Sequence, residues 1–421
     1  RLKDQRQLFL FPHKTPYDNS RHFNELAINR QVFFAILVCV VETEENAVLL
    51  KTMPRRIGRE RKEGFEMIAT QNAADKTQKF LDDFKVSKPV IGLPGLGWDT
   101  PEMAAAVSNA GGLGVLHIGF KTEEEIERDV AKVRSLTDKP FAVLMFPQKE
   151  SILDAEKLRL QDTALSPLRE DLGCTAVRPI SAPLFDNQFR KIVELKVPAV
   201  GLRLGGLREP YMEELEANGT PVFGIASNLR DAKVLVSSGV NAVVAAGWAE
   251  EGLLSHEEIS KDQAEIDSLV LWSECARALR VPVLGAGSIT TQDQVRVLKA
   301  LGLAGFMLSD ALLLVKESPI PDSWRTKVMY LADSASEMTD TFMGRASRYL
   351  SNGFAQIFPE KGLPVLQFPY QYFALKDIFD KALEIGRIDL ALLEVGQYVY
   401  LAESGTTADI INKFCGYWSE A

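Results

Sequence analysis

Few side chains in this sequence can move protons or bind anions, so their positions bound its chemistry. The histidines are His13, His22, His117 and His256. His117 ends an apolar run, Gly112–His117, which would carry it to a strand terminus, where an imidazole can exchange protons near neutral pH. The commoner role for a single histidine there is a hydrogen-bonded structural one. His256 stands in Ser255-His256-Glu257-Glu258, a capping-box pattern that places it on the surface of a first helical turn. Glu250 and Glu251 are adjacent carboxylates. Convergent carboxylates can divide acid and base roles, but sequence neighbours diverge, so a solvated loop is expected here. Gly287-Ser288 is a turn of small residues, which permits close backbone approach.

The elements that must position these residues follow from hydrophobic periodicity. Strand-like runs alternate with helix-period stretches from residue 89 onward, the pattern of a parallel sheet. Strands are expected at Val90–Leu93, Gly112–His117, Phe141–Phe146, Ala199–Leu204, Pro221–Ile225, Ala242–Ala246, Val281–Leu284 and Gly305–Leu308. Helices fill the gaps, the eighth at Ala311–Lys316. The fold class is therefore α/β, a TIM (β/α)8 barrel over residues 87–317. An insertion follows strand three at about 147–185, with a helix-like middle around Leu153–Asp171. Residues 1–86 form an N-terminal extension with one helix at Lys76–Phe84, and 318–421 read as a mostly helical region packed on the barrel. The expected barrel places Arg203 at the end of strand four, pointing into the pocket or pairing with Asp310.

Composition narrows the function classes. The net charge of −9 argues against nonspecific nucleic-acid binding, which needs a basic surface. Residues 1–85 carry 15 Lys/Arg against 12 Asp/Glu, so the acidity lies in the remainder. The four cysteines, Cys39, Cys174, Cys275 and Cys415, are far apart, which suits reduced thiols and an intracellular location, and neither a disulfide framework nor a metal site is expected. The longest apolar run, Val32–Val41, is shorter than the roughly 20 residues of a membrane-spanning helix. The cluster Arg55-Arg56-Ile57-Gly58-Arg59-Glu60-Arg61-Lys62 reads as a solvated face, with contact to a partner or lipid surface as the alternative. A start at Arg1 is compatible with removal of an organellar transit peptide, and so with a mitochondrial location.

The segment Pro89–Leu116 is more specific. It runs strand, Gly/Pro turn, helix and glycine-led strand, and contains Pro101-Glu-Met-Ala-Ala-Ala-Val-Ser-Asn-Ala-Gly-Gly-Leu-Gly114. It resembles the opening of the nitronate monooxygenase (2-nitropropane dioxygenase-like) family of FMN barrels. Gly344-Arg-Ala-Ser-Arg348, Phe368-Pro369-Tyr370 and Gly396-Gln397 resemble later landmarks of that family, so the likeness covers residues 87 to about 400. The resemblance implies a flavin phosphate on the turns after strands seven and eight. The cofactor set would be Gly287, Ser288, Ser309, Asp310, Gly396 and Gln397, if FMN is bound.

Departures from the family fall on the reacting positions. Asp310 stands where the family has a threonine. A carboxylate about 4 Å from a phosphate repels it by roughly 4 kcal/mol at an effective dielectric of 20. Both Ser309 and Asp310 suit the N-cap of a following helix, which is the expected role. In Ala245-Ala246-Gly247-Trp248-Ala249-Glu250-Glu251-Gly252-Leu253, Ala246 replaces the flavin-contacting glutamine and Leu253 the basic histidine. Leu144 replaces an asparagine. Leucine cannot accept a proton, which leaves His117 as the best substitute catalyst. The main expectation is an accessory subunit with no cofactor in a larger, possible membrane-associated assembly, contacted through residues 1–86 and the 147–185 insertion. The alternative is an FMN-dependent oxidoreductase with a non-standard catalytic residue.

Overall fold

The computed structural model describes residues 73–147, 151–174, 180–253 and 266–421. The expected runs at Val32–Val41 and Arg55–Lys62, together with His13, His22, Cys39 and His256, lie outside the described residues. Eight parallel strands close into a barrel in the order β1-β2-β3-β4-β5-β6-β8-β9. They are β1 (Val90–Gly92), β2 (Leu113–His117), β3 (Phe141–Met145), β4 (Ala199–Leu202), β5 (Val222–Ala226), β6 (Ala242–Ala246), β8 (Val283–Ala286) and β9 (Gly305–Leu308), with a short β7 (Gly252–Leu253) outside the barrel. Every barrel strand is buried on both faces, which is why each reads as a continuous apolar run. Alternate residues divide between two cores. Leu113, Val115, Leu144, Phe223, Val244 and Met307 fill the interior. Leu116, Val143, Val200, Val243 and Val283 face the surrounding helices.

Those helices start where side chains satisfy the first backbone N–H groups. They are α1 (73–84), α2 (Pro101–Asn109), α3 (Glu123–Leu136), α4 (Ala155–Leu172), α5 (Phe185–Glu194), α6 (Glu209–Ala217), α7 (Leu229–Ser237), α8 (Ser268–Ala278) and α9 (Gln292–Ala300). Thr122 with Glu125 and Thr291 with Gln294 form reciprocal capping boxes on α3 and α9. Helix α1 closes the base of the barrel. Phe80 and Phe84 are fully buried, and the Phe84 ring meets the edge of Phe223 at 6.1 Å.

The eighth helix is not where the periodicity put it. Only a 3-10 turn, Asp310–Leu312, follows β9. The remaining helices are α10 (Asp322–Val328), α11 (Gly353–Lys361), α12 (Tyr370–Glu384) and α13 (Thr407–Glu420). The last of them, α13, packs between α9 and α2 and so fills the eighth position. Phe306 of β9 lies 5.7 Å from the Trp418 ring, and Lys299 Nζ donates to the Trp418 carbonyl at 2.6 Å. The C-terminal region is also less helical than expected: β10 (Ser336–Thr339) and β11 (Ser347–Leu350) form an antiparallel hairpin that β7 extends. The insertion after β3 folds onto this region. Gln161 Nε2 donates to Gln371 Oε1 at 2.8 Å, and Arg169 pairs with Asp377 at 2.8 Å, joining α4 to α12. Among the described residues no helix is long and apolar enough to cross a membrane.

Candidate functional site at the mouth of the barrel

The two turns expected to hold a phosphate come together at the C-terminal ends of β8 and β9. Gly287 and Ser288 have φ of +147° and +61°, a reversal that exposes the Ser288 amide. A side chain at 287 would collide with Ser268 Oγ at 2.3 Å, so the turn requires glycine. The Ser288 amide donates to Glu250 Oε2 at 3.1 Å. The Ser288 hydroxyl accepts from the Tyr398 amide at 2.7 Å and donates to Asp310 Oδ2 in a short contact. Asp310 Oδ1 accepts from the Gly396 amide at 2.7 Å. Asp310 is therefore wholly buried and does not cap a helix; Ser309 makes no capping bond either. The reason is reach: the 396–398 loop offers Asp310 better donors than its own short 3-10 turn.

Glu250 and Glu251 correct the sequence reading more sharply. The expected solvated loop is a buried one, with the two residues 3% and 2% exposed. Burial, above all, raises both carboxyls, and Glu250's charge raises Glu251 further, well above the ordinary range. Among the described residues neither oxygen of Glu251 meets a donor. Glu394 joins them. Its Oε2 accepts from the Leu96 amide at 2.7 Å, and burial pushes it up to about 7. Burial likewise pushes Asp310 up to about 7, with Glu251's charge as the second cause.

Two guanidiniums oppose these four carboxyls. Arg203, 2% exposed, lowers Glu394, Glu250 and Glu251 by its charge; among the described residues it forms no ion pair with Asp310, and its Nε has no partner. Arg348 donates from Nε to the Trp248 carbonyl at 3.0 Å and lies over that indole at 5.1 Å. Its charge is the one that lowers Asp310.

The positions that the resemblance assigns to ring contact and base hold apolar side chains. Leu144, Ala246 and Leu253 are buried in the interior core. His117 sits on β2 opposite Leu144 of β3. Its Nε2 lies 2.9 Å from the Pro94 carbonyl, which only accepts, so Nε2 carries the proton and buried Nδ1 is left bare. Burial, above all, depresses this imidazole to about 4, so it is neutral at physiological pH. Gln397 is exposed and contributes its backbone, donating to the Ala249 carbonyl at 2.9 Å. Sequence reasoning missed Glu394 and Tyr349, whose hydroxyl donates to Glu394 Oε1 at 3.5 Å, and met Arg348 only as part of a family landmark. The one signal for Glu394 was a lone carboxylate inside the apolar stretch Ala391-Leu-Leu-Glu-Val395.

A closed parallel (β/α)8 barrel, with the glycine turn Gly287-Ser288 after β8 beside the Ser309-Asp310 turn after β9, is a TIM barrel, a fold that frequently binds phosphate at this end. The sequence profile described as nitronate monooxygenase matches residues 78–416, and this chain belongs to that family. Nitronate monooxygenase of Pseudomonas aeruginosa is 29% identical over 343 residues, 80% of this chain and 97% of the relative. A probable nitronate monooxygenase of Bacillus subtilis is 26% identical, covering 80% and 98%. Among solved structures, nitroalkane oxidase from Streptomyces ansochromogenes superposes with TM-score 0.73 at 23% identity, over 82% of this chain and 99% of its own. FabK from Thermotoga maritima gives 0.63 at 24% identity, over 81% and 95%, a likeness of fold.

The family's FMN can be tested against these residues. A phosphate needs free donors, and the amides of Ser288 and Gly396 both already serve carboxylates. As they are arranged, the phosphate of FMN does not fit the residues of this face.

Proposed function

We propose that this chain is a nitronate monooxygenase-family barrel that works without the family's flavin chemistry, as an accessory subunit of a protein assembly. The observation that carries this reading is the pairing of Glu250 with the Ser288 amide and Asp310 with the Gly396 amide, which puts carboxyl oxygens where those of a phosphate would sit. Leu144, Ala246 and Leu253 support it, since none can contact a flavin ring through a hydrogen bond or accept a proton. Residues 1–86 and the insertion after β3 would supply the contact surface. On that insertion Ile152, Leu160 and Leu184 are 86%, 40% and 56% exposed, large apolar side chains of the kind that partners cover.

The test is to purify the protein in native form and record its visible spectrum. A colourless protein that gains no flavin absorbance on FMN titration, and co-purifies stoichiometrically with fixed partners, is the expected result. A stoichiometric yellow chromophore defeats the proposal.

A second reading, an FMN-dependent oxidoreductase, is favoured by relatives named as nitronate monooxygenases over 97–98% of their lengths. On that reading His117 is the substitute base, and nitronate oxidation by the purified protein should vanish in His117→Ala.

A further inference from the structure

The four carboxyls at the mouth do not merely spoil an anion site; two of them occupy it. We propose that Glu250 and Asp310 are intramolecular substitutes for the phosphate group, holding the family's anion site intact and shut. This rests on the reading above, that the chain works without flavin, and explains how the fold survives without it.

An empty phosphate site at the end of a barrel would leave backbone N–H groups buried without acceptors, and such groups are rare because they are costly. Here the donors are kept and the acceptors are supplied from within. The Ser288 amide, presented by the left-handed turn at Gly287-Ser288, meets Glu250 Oε2 at 3.1 Å. The Gly396 amide meets Asp310 Oδ1 at 2.7 Å. Ser288's hydroxyl completes the set on Asp310 Oδ2. A phosphate monoester would use the same three donors. Space is closed as well as charge: a Cβ on Gly396 would lie 2.6 Å from Asp310 Oδ2 and 2.7 Å from Ser288 Oγ, so the loop, the hydroxyl and the carboxylate are in mutual contact. The two carboxylates come from loops after β6 and β9, and the donors from after β8 and from the 396–398 loop. Four chain segments therefore converge on the point where the fold would otherwise need a ligand.

Among the described residues, three charged groups act on this point. Glu251 lies beside Glu250, Arg348 acts on Asp310, and Arg203 acts on Glu250 and Glu251. Removing the two substitute acceptors should leave the donors bare and the local charge more positive, which is what an anion requires.

The experiment compares the wild-type chain with Glu250→Ala/Asp310→Thr, using quenching of flavin fluorescence by added protein and the melting temperature with and without inorganic phosphate. The expected result is no FMN binding by wild type up to millimolar concentration and micromolar binding by the double variant, at least a hundredfold gain. Phosphate should raise the melting temperature of the variant alone. The milder single variant Asp310→Ser removes the acceptor on the Gly396 amide and opens the space beside it. It should gain at least tenfold, and it decides the matter if the first variant unfolds. A folded variant of either kind that binds neither FMN nor phosphate overturns this inference and leaves the proposed function standing. Wild-type protein that binds FMN as tightly as the variants overturns both.

Discussion

The two ends of this barrel are closed by opposite means. At the base, Phe80 and Phe84 of α1 press on Phe223 and seal the interior with aromatic rings alone. At the mouth, Glu250, Glu251, Asp310 and Glu394 are buried to nearly the same degree, against Arg203 and Arg348. The base follows the hydrophobic pattern and gains stability directly, because apolar burial needs no partner. The mouth must satisfy every polar group it buries, and among the described residues it leaves both oxygens of Glu251 without a donor. A fold under pressure only for stability would not bury four carboxyls together. The mouth therefore holds a polar cluster that stability alone does not explain, and the base does not.

Breaking the base should give the largest effect. Phe84→Ala removes a fully buried ring and is expected to cost about 3–5 kcal/mol in chemical denaturation. The visible spectrum and any FMN response should not change at subdenaturing concentrations. A loss below about 1 kcal/mol would mean that α1 is not part of the barrel's core.

Next in size is the pH response of the mouth. Asp310 and Glu394 have folded values of about 7, above those of free carboxyls. The folded state holds these protons more tightly than the unfolded one. Their contribution is thus fully present below the unfolded values near pH 4, and is lost as pH rises to about 7. Each group can tilt stability by up to about 1.4 kcal/mol per pH unit within that window. Asp310→Asn and Glu394→Gln should each make the fall in melting temperature between pH 5 and 8 shallower. Equal slopes in variant and wild type would place these carboxylates in water, and the contrast between the two ends would disappear.

How legible each end was in the sequence follows from the same contrast. The strands could be read because a parallel barrel buries both faces of each strand, and runs such as Ala242–Ala246 record that locally. Phe80 and Phe84 are four apart on one helical face, again a local signal. The mouth is assembled from distant segments. Asp310 meets Gly396, 86 residues away, so its sequence neighbours pointed to a helix cap. Glu250 and Glu251 looked solvated because nothing nearby shows that Ser288 supplies an amide 38 residues on. The missing eighth helix has a similar cause: Ala311–Lys316 carries helix-forming residues, but α13, which starts only at Thr407, occupies the space. The substitutions at Leu144, Ala246 and Leu253 were visible only because the family motif aligned them.

The smallest effect lies at His117, on the mouth side of β2, and it sharpens the comparison because its sign is opposite. Burial depresses this imidazole to about 4, whereas it raises the neighbouring carboxyls. A neutral His117 contributes stability above the unfolded value of about 6.5, and loses it as pH falls toward about 4. His117→Gln keeps a donor near Pro94 but loses the geometry of the 2.9 Å contact. It should cost about 1 kcal/mol at pH 8, the net worth of one buried hydrogen bond. Between pH 6.5 and 5 the deficit should shrink, because the wild type is then losing stability that the glutamine never had. Urea denaturation of both proteins across pH 5–8 measures this directly. A deficit that grows on acidification would mean that His117 gains a proton in the folded state and pairs with Asp99, the nearby carboxylate that raises it. The histidine would then be a charged member of the mouth, available for proton transfer.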